Sequence, residues 1–261
     1  MTTRHRPRKR FGQHFLHDPA VIRRIVAAIA PAPGERLVEI GPGLGALTIP
    51  LLEAAGSLEA VEIDRDVIPL LQERCRGLGA LTVHEADALT FDFAALAGTG
   101  APLRLVGNLP YNISTPLLFH LLAQRAALRD MHFMLQKEVV DRMCALPATP
   151  AYGRLTVMLA AACRVESLFH IGRGAFTPPP RVDSAFVRLV PYSHPPFPLH
   201  DERLFAQLVA RAFSKRRKTL RNALKGLADE DAITAAGLDP GARPETLAAR
   251  DYAALAERLA R

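Results

Sequence analysis

From residue 36 onward the chain alternates short apolar runs with stretches of helical periodicity, and this alternation limits the fold more than any other feature. Arg36–Ile40, Leu58–Ile63, Leu81–Glu85, Leu103–Gly107 and Met131–Gln136 each read as a buried strand. Helices are expected from about Ala46, from about Asp66, over Thr115–Gln124 and from Lys137. Strands buried on both faces and separated by helices belong in a parallel sheet with helices on either side, so the fold class is α/β. Pro50 should fall in the first turn of its helix, where a missing N–H costs little. Ser114 or Thr115 is expected to cap the helix that Pro116 opens.

The pattern changes after residue 150. Leu155–Cys163 is apolar, and Val165–Ile171 and Ala185–Val190 read as late strands. Tyr192–His200 carries three prolines in nine residues and reads as a linker. Beyond it, Leu204, Leu208 and Ala212, then Leu220, Leu224 and Leu227, recur at helical spacing. The expected division is therefore residues 1–195 and a helical domain over 196–261.

The first strand runs into Glu39-Ile40-Gly41-Pro42-Gly43-Leu44-Gly45. Glycines at a strand-to-helix turn let the backbone bend tightly and approach a ligand closely. Glu62 ends the second strand, where an acid accepts hydrogen bonds from a ribose diol. Asp87 follows the third strand, well placed for an adenine amino group. The G-x-G-x-G spacing and Asp87 favour S-adenosyl-L-methionine over a dinucleotide. The fourth strand ends in Gly107-Asn108-Leu109-Pro110-Tyr111, which would meet that ligand at the carboxyl edge of the sheet. The Asn108 side-chain oxygen and the Leu109 carbonyl could accept both N–H bonds of an adenine amine. That would localise the lone pair on the nitrogen, with Pro110 stiffening the loop and Tyr111 offering a face for an unpaired base. An ordinary Asn-Pro turn is the bland alternative; its place after the glycine loop argues against it.

Charge points the same way. The net charge is +7, yet residues 1–24 and 211–225 alone sum to +13, leaving −6 on the other 222 residues. Two basic blocks on a mildly acidic body suit a polyanion such as nucleic acid, although basic runs are often only solvated faces. The longest apolar run, Val157–Cys163, is too short to span a membrane, and no apolar stretch of a secretory leader follows the basic start. Cys75, Cys144 and Cys163 are scattered and odd in number, which disfavours a disulfide framework or a cysteine zinc site and fits a reducing cytoplasm.

Taken in order, these stretches resemble the ribosomal RNA adenine N6,N6-dimethyltransferases that act on small-subunit rRNA. The resemblance rests on Arg8–Leu16, Val38–Gly43, Asn108–Pro116, Met134–Glu138, Tyr152–Leu155, Phe176–Ser184 and Phe213–Leu220, and so covers nearly the whole chain. It implies a Rossmann-like S-adenosyl-L-methionine-dependent methyltransferase domain, with a basic N-terminal arm over 1–16, and a small C-terminal all-helical domain. It implies dimethylation of two adjacent adenines in a hairpin loop near the 3′ end of 16S rRNA, coupled to small-subunit biogenesis. It further implies a partly assembled 30S particle as partner, no membrane, no metal, a cytoplasmic location and a monomer.

Residue roles follow from the same resemblance. Gln13, His14 and Leu16 would close over the methionine end of the cofactor, with His14 standing where many members carry Asn. Gly41 and Gly43 would approach the cofactor, Glu62 would hold its ribose and Asp87 its adenine. Asn108 would serve cofactor and target, and Tyr111 and Phe176 would sandwich the target adenine. Arg8, Lys9, Arg10, Lys215, Arg216, Arg217, Lys218 and Arg221 would contact RNA phosphates. His14 and His17 are general-base candidates by residue type alone.

Three readings compete. One is the same chemistry on another nucleic acid, such as large-subunit rRNA or DNA. The second is a ribosome-assembly factor with secondary catalysis, or a transcription factor built on this fold. The intact glycine loop, Glu62 and Asn108 argue that catalysis is kept. An adenine deaminase is set aside because its zinc signature is missing. A dinucleotide dehydrogenase would have no use for Asn108–Tyr111.

Overall fold

The computed structural model describes residues 14–215 and 217–260. No helix among them is long and apolar enough to cross a membrane. In chain order the first unit contains β1 (Phe15–Leu16), α1 (Pro19–Ile29), β2 (Leu37–Ile40), α2 (Thr48–Ala55), β3 (Ser57–Glu62), α3 (Ile68–Arg74) and β4 (Ala80–Glu85). It continues with α4 (Phe93–Ala97), β5 (Leu103–Asn108), α5 (Ser114–Ala123) and β6 (Leu128–Gln136), and α6 (Lys137–Met143) leads out of it. After α7 (Arg154–Ala162) the chain returns through β7 (Cys163–Ile171), β8 (Phe176–Thr177) and β9 (Ser184–Pro191).

Seven strands form one sheet in the order β4-β3-β2-β5-β6-β9-β7, and β1 and β8 make a separate two-stranded pair. The five strands expected from sequence are all present, and neighbours among them pair in parallel. The expectation of a parallel sheet needs one correction. β9 pairs with β6 antiparallel, from Met131 opposite Leu189 to Gln136 opposite Ser184. An apolar run shows that a strand is buried and carries nothing about its direction, which the connecting path decides.

Burial explains the continuous apolar strands. Leu37, Val38, Leu105, Val106, Phe133 and Met134 are all fully enclosed. One face of the sheet packs on a cluster including Ile25 and Ile29 of α1, Leu51 and Leu52 of α2, and Leu71 of α3. The sequence reading overlooked α1, although its start is marked: the Asp18 side chain accepts from the backbone N–H groups of Ala20 and Val21, and Pro19 opens the helix. The expected cap of α5 is also corrected. No side chain caps that helix; the buried Ser114 hydroxyl instead donates to the Pro110 carbonyl at 3.0 Å and bonds the Tyr111 carbonyl at 3.3 Å.

Gly107 permits the close approach of β2 and β5. A Cβ there would lie 2.6 Å from the Ile40 carbonyl oxygen, a backbone atom that cannot swing away. Gly107→Ala should therefore cost about 1–3 kcal/mol through forced strand separation. Thermal denaturation would show it as a lowered midpoint, and an unchanged midpoint would refute the packing argument.

The second unit comprises Asp141–Val165 and the chain from Tyr192 onward. It holds α7 with α8 (Glu202–Ser214), α9 (Leu220–Ala223), α10 (Glu230–Ala235) and α11 (Ala249–Leu259). The expected boundary at residue 195 gave residues 141–165 to the first domain. In the structure Tyr152, Val157 and Ala161 pack with Phe205, Leu208, Tyr252 and Leu255 in the second unit's own core. The apolar stripe of α7 has its partners far along the chain, a pairing that linear reading does not disclose.

Candidate active site

A cavity of about 540 Å³ opens at the carboxyl ends of the parallel strands. Its wall is built by four strand ends and one covering segment. β2 supplies Glu39 and Ile40 and leads into Gly41–Leu44, β3 supplies Val61 and Glu62, the turn after β4 supplies Asp87, and β5 supplies Asn108 and the loop behind it. The residues from His14 to His17 line the remaining side. The structure thus brings His14, Leu16, Gly41, Gly43, Glu62, Asp87, Asn108, Leu109, Pro110 and Tyr111 to one cavity. Gln13 lies outside the described residues.

The glycine loop is shaped by its own backbone and by Glu62. Gly41 and Gly43 have φ of +67° and +51°, in the left-handed region. A Cβ on Gly43 would stand 3.3 Å from the Phe15 ring, tighter than ordinary contact, so a side chain there would press on the covering segment. The Glu62 carboxylate accepts from the Gly43 N–H at 3.2 Å and from the Asp64 N–H at 2.8 Å. Burial raises its pKa, although those two N–H bonds oppose the shift. Each oxygen retains further acceptor capacity toward the cavity. Asp87 accepts from the Leu89 N–H at 2.9 Å, which fixes its carboxylate at the mouth of β4.

Among the described residues, Asn108 makes one side-chain hydrogen bond. Its amide nitrogen donates to the His14 carbonyl at 3.0 Å. A carbonyl can only accept, so the NH2 end must face His14 and the oxygen is left as the acceptor end. The loop that follows is braced at three points. The Leu109 N–H donates to the Met134 carbonyl at 3.2 Å, Ser114 holds the Pro110 carbonyl, and the Tyr111 hydroxyl bonds the Ser184 hydroxyl at 2.9 Å. The Tyr111 ring stacks on His14 with centroids 5.6 Å apart, and burial pushes its phenol pKa up. The His14 ring donates from Nδ1 to the Pro178 carbonyl at 2.8 Å, which leaves Nε2 as its other nitrogen.

Phe176 is elsewhere. It is 2% exposed, its strand β8 pairs with β1 opposite Leu16, and its ring belongs to the apolar core. It is not among the residues that line the cavity, and its ring packs in the core; stacking on a target base opposite Tyr111 stays an expectation from the sequence. The lining residues that the sequence reading left unassigned include Glu39, Ile63 and Arg74. Glu39 is a buried acid at the end of an apolar strand, a signal visible in sequence. Ile63 follows Glu62 and is 47% exposed. Arg74 ends α3 and donates to the Leu44 carbonyl, bracing the glycine loop from outside. Its position 30 residues downstream gives no hint of that contact.

The basic residues Lys215, Arg217, Lys218 and Arg221 are exposed in the second unit, between and within α8 and α9. Arg221 pairs with Glu230 at 3.4 Å. Arg8, Lys9, Arg10 and Arg216 lie outside the described residues. Among the described residues, no group of three or more His, Cys, Asp or Glu side chains could hold a metal ion.

Comparison with known proteins bears on this arrangement. A family described as "Ribosomal RNA adenine dimethylase" matches residues 4–261. The chain is 57% identical to "Ribosomal RNA small subunit methyltransferase A" of Methylococcus capsulatus, over 98% of this chain and 99% of that one. It is 55% identical to the protein of the same name from Chromohalobacter salexigens, covering 98% and 92%. Among solved structures, a dimethyladenosine transferase from Plasmodium falciparum aligns with a TM-score of 0.76 and 28% identity, over 93% of this chain and 96% of that one. The 23S rRNA methyltransferase ErmE aligns with a TM-score of 0.72 and 27% identity, over 95% and 100%. Match and fold together place the chain among enzymes: it belongs to the ribosomal RNA adenine dimethylase family.

Proposed function

We propose that this enzyme dimethylates N6 of two adjacent adenines in small-subunit rRNA, in a hairpin loop near the 3′ end, with S-adenosyl-L-methionine as donor. The observation that carries the reading is the orientation of Asn108, whose amide is tied back to His14 so that its oxygen is the acceptor end in the cavity. An adenine amine is a poor nucleophile because its lone pair is delocalised into the ring. Asn108 Oδ1 accepts one N6–H and the Leu109 carbonyl the other, drawing the lone pair out of the ring. The braces on Leu109, Pro110 and Tyr111 hold these acceptors in place before substrate arrives, which is where such electrostatic help is largest.

The residues present fit the donor. The cavity combines a glycine turn whose left-handed backbone disfavours any side chain, a buried carboxylate at the end of β3 for a ribose diol and Asp87 for an adenine amine. Bound there, S-adenosyl-L-methionine supplies an electrophilic methyl on a sulfonium. Glu62 and Asp87 orient it, and Gly41, Gly43, His14 and Leu16 enclose it. Tyr111 gives the target base an aromatic contact; Phe176 could share that contact only by leaving the core. The exposed basic residues of the second unit contact rRNA phosphates in a partly assembled 30S particle, and the protein works there as a cytoplasmic monomer.

The test is methyl transfer from labelled S-adenosyl-L-methionine to small subunits lacking the modification, with large subunits in parallel, followed by nucleoside analysis. Dimethyladenosine in small-subunit rRNA alone is the expected result. Label in the large subunit alone would overturn the target assignment. Phosphate contact makes a separate prediction. Replacing Lys215, Arg217 and Lys218 together by Gln should lower the slope of log affinity against log salt by roughly 2–3. An unchanged slope would remove these residues from the RNA interface.

A further inference from the structure

Glu39 is a buried acid in the wall of the proposed cofactor cavity, and it has no part in the cofactor contacts proposed for Glu62 and Asp87. It is 2% exposed at the end of β2, one residue before the turn into the glycine loop. Its hydrogen-bond partner is neutral: the Thr48 hydroxyl donates to Oε2 at 2.6 Å. No cation pairs with it among the described residues, and the second buried acid of the same cavity, Glu62, lies near enough to repel it. A buried carboxyl with an uncharged partner and an acidic neighbour is costly to ionise, unless a cation enters the space it borders.

We propose that Glu39 sets the preference of this cavity for a positively charged sulfonium cofactor over the neutral thioether left after methyl transfer. The proposal rests on the cofactor reading above. Substrate and product differ there by one positive charge and one methyl group. Ionised Glu39 is attracted to the first across a wall of low polarity and gains nothing from the second. Protonated Glu39 scarcely distinguishes them. The preference should therefore strengthen as pH rises through the range in which Glu39 ionises. Burial raises the Glu39 pKa to about 7, with the Thr48 bond opposing and the Glu62 charge adding, so that range is centred near neutrality.

Other titratable and charged groups surround Glu39 and the cavity. Glu62 and Asp64 come from β3 and the loop behind it, Asp87 from the turn after β4, and Arg74 and Cys75 from the end of α3. Cys75 has its pKa raised by burial and then by Glu39, so it stays a neutral thiol. His14 and His17 line the covering side. All of these side chains, and the ligands' own amino groups, are common to variant and wild type. The quantity to read is therefore the difference between the two proteins.

Isothermal titration calorimetry with S-adenosyl-L-methionine and S-adenosyl-L-homocysteine, from pH 6 to pH 8.5, provides the test. An opposite charge at close range moves a carboxyl by about one unit or more, so the affinity ratio of the wild type should rise roughly tenfold more than that of Glu39→Gln. Thr48→Val keeps the shape, removes the bond that favours the carboxylate, and should move the wild-type transition to higher pH. Both ligands binding with the same pH dependence of the ratio in all three proteins would overturn the proposal and leave the cofactor reading intact. Neither ligand binding the wild type at any pH would overturn both.

Discussion

Asn108→Ala should lower methyl transfer by about 10²–10³-fold, the loss typical of removing one preorganised polar group that acts on the reacting centre. The variant should still fold, because Asn108 is only partly buried and its side chain makes one bond among the described residues, to the His14 carbonyl. That bond complicates a simple truncation, since alanine removes both the acceptor and the tie to the covering segment. Asn108→Asp separates the two. Aspartate keeps an oxygen acceptor but cannot donate to the His14 carbonyl, and it places a negative charge against that oxygen. If polarisation of the target amine is the main effect, the aspartate variant retains part of the rate lost by alanine. If the tie to His14 matters more, both variants lose the same rate, and both bind cofactor less tightly. Single-turnover rates at saturating cofactor, with cofactor affinity measured separately, distinguish these outcomes. A near-normal rate for Asn108→Ala at full occupancy would sink the polarisation account.

The parts of this site that sequence discloses are those set by backbone demands and strand ends. A glycine run after an apolar strand needs no tertiary information, because left-handed φ at Gly41 and Gly43 is cheap for glycine alone. Glu62 and Asp87 are found by counting strands, since every parallel strand delivers its last residue to the same edge. The brace from Arg74 to Leu44, the Ser114 bond to Pro110 and the close approach at Gly107 depend on how separate elements meet. Phe176 shows the limit most clearly. An aromatic residue before three prolines reads equally well as a binding wall or as a core plug, and only burial separates the two. Direction is likewise illegible in β9, whose apolar composition suits either pairing.

At the opposite ends of β5 and β6 the sheet carries a buried ionic cluster, and its disruption should have the largest effect on stability. Arg104 is 5% exposed and forks onto Asp130, with Nε to Oδ1 at 2.9 Å and Nη2 to Oδ2 at 3.2 Å. It also donates to Glu35 and to the Ile29 and Ala30 carbonyls, which closes the C-terminus of α1. Arg104→Met leaves Asp130 with Arg188 at 3.3 Å as its remaining cation and orphans those carbonyls. The expected cost is about 3–5 kcal/mol at neutral pH, the usual penalty for removing one partner of a buried pair. Burial alone would push the Asp130 carboxyl up, but Arg104, His132 and Arg188 hold it below its ordinary value. Its contribution is thus full above the ordinary carboxyl range and is lost as pH falls through the folded value. The difference between Arg104→Met and wild type should consequently shrink in strong acid. His132 adds a second acid-sensitive group. Among the described residues neither of its ring nitrogens has a hydrogen-bond partner, and burial, reinforced by Arg104 and Arg188 and opposed by Asp130, pushes its pKa down to about 4. The unfolded chain takes up that proton from about pH 6.5, so stability falls from there down to about pH 4. Glu39 acts with the opposite sign over 4.5 to about 7, because its folded pKa is raised, so the two partly offset each other in the wild-type curve. His132→Phe isolates the histidine: relative to wild type it should gain about 2 kcal/mol on going from pH 7.5 to pH 5. Urea unfolding of the three proteins at several pH values measures all of this. A gap between Arg104→Met and wild type that stays constant into strong acid would show that the arginine stabilises by packing and helix closure rather than through its carboxylate.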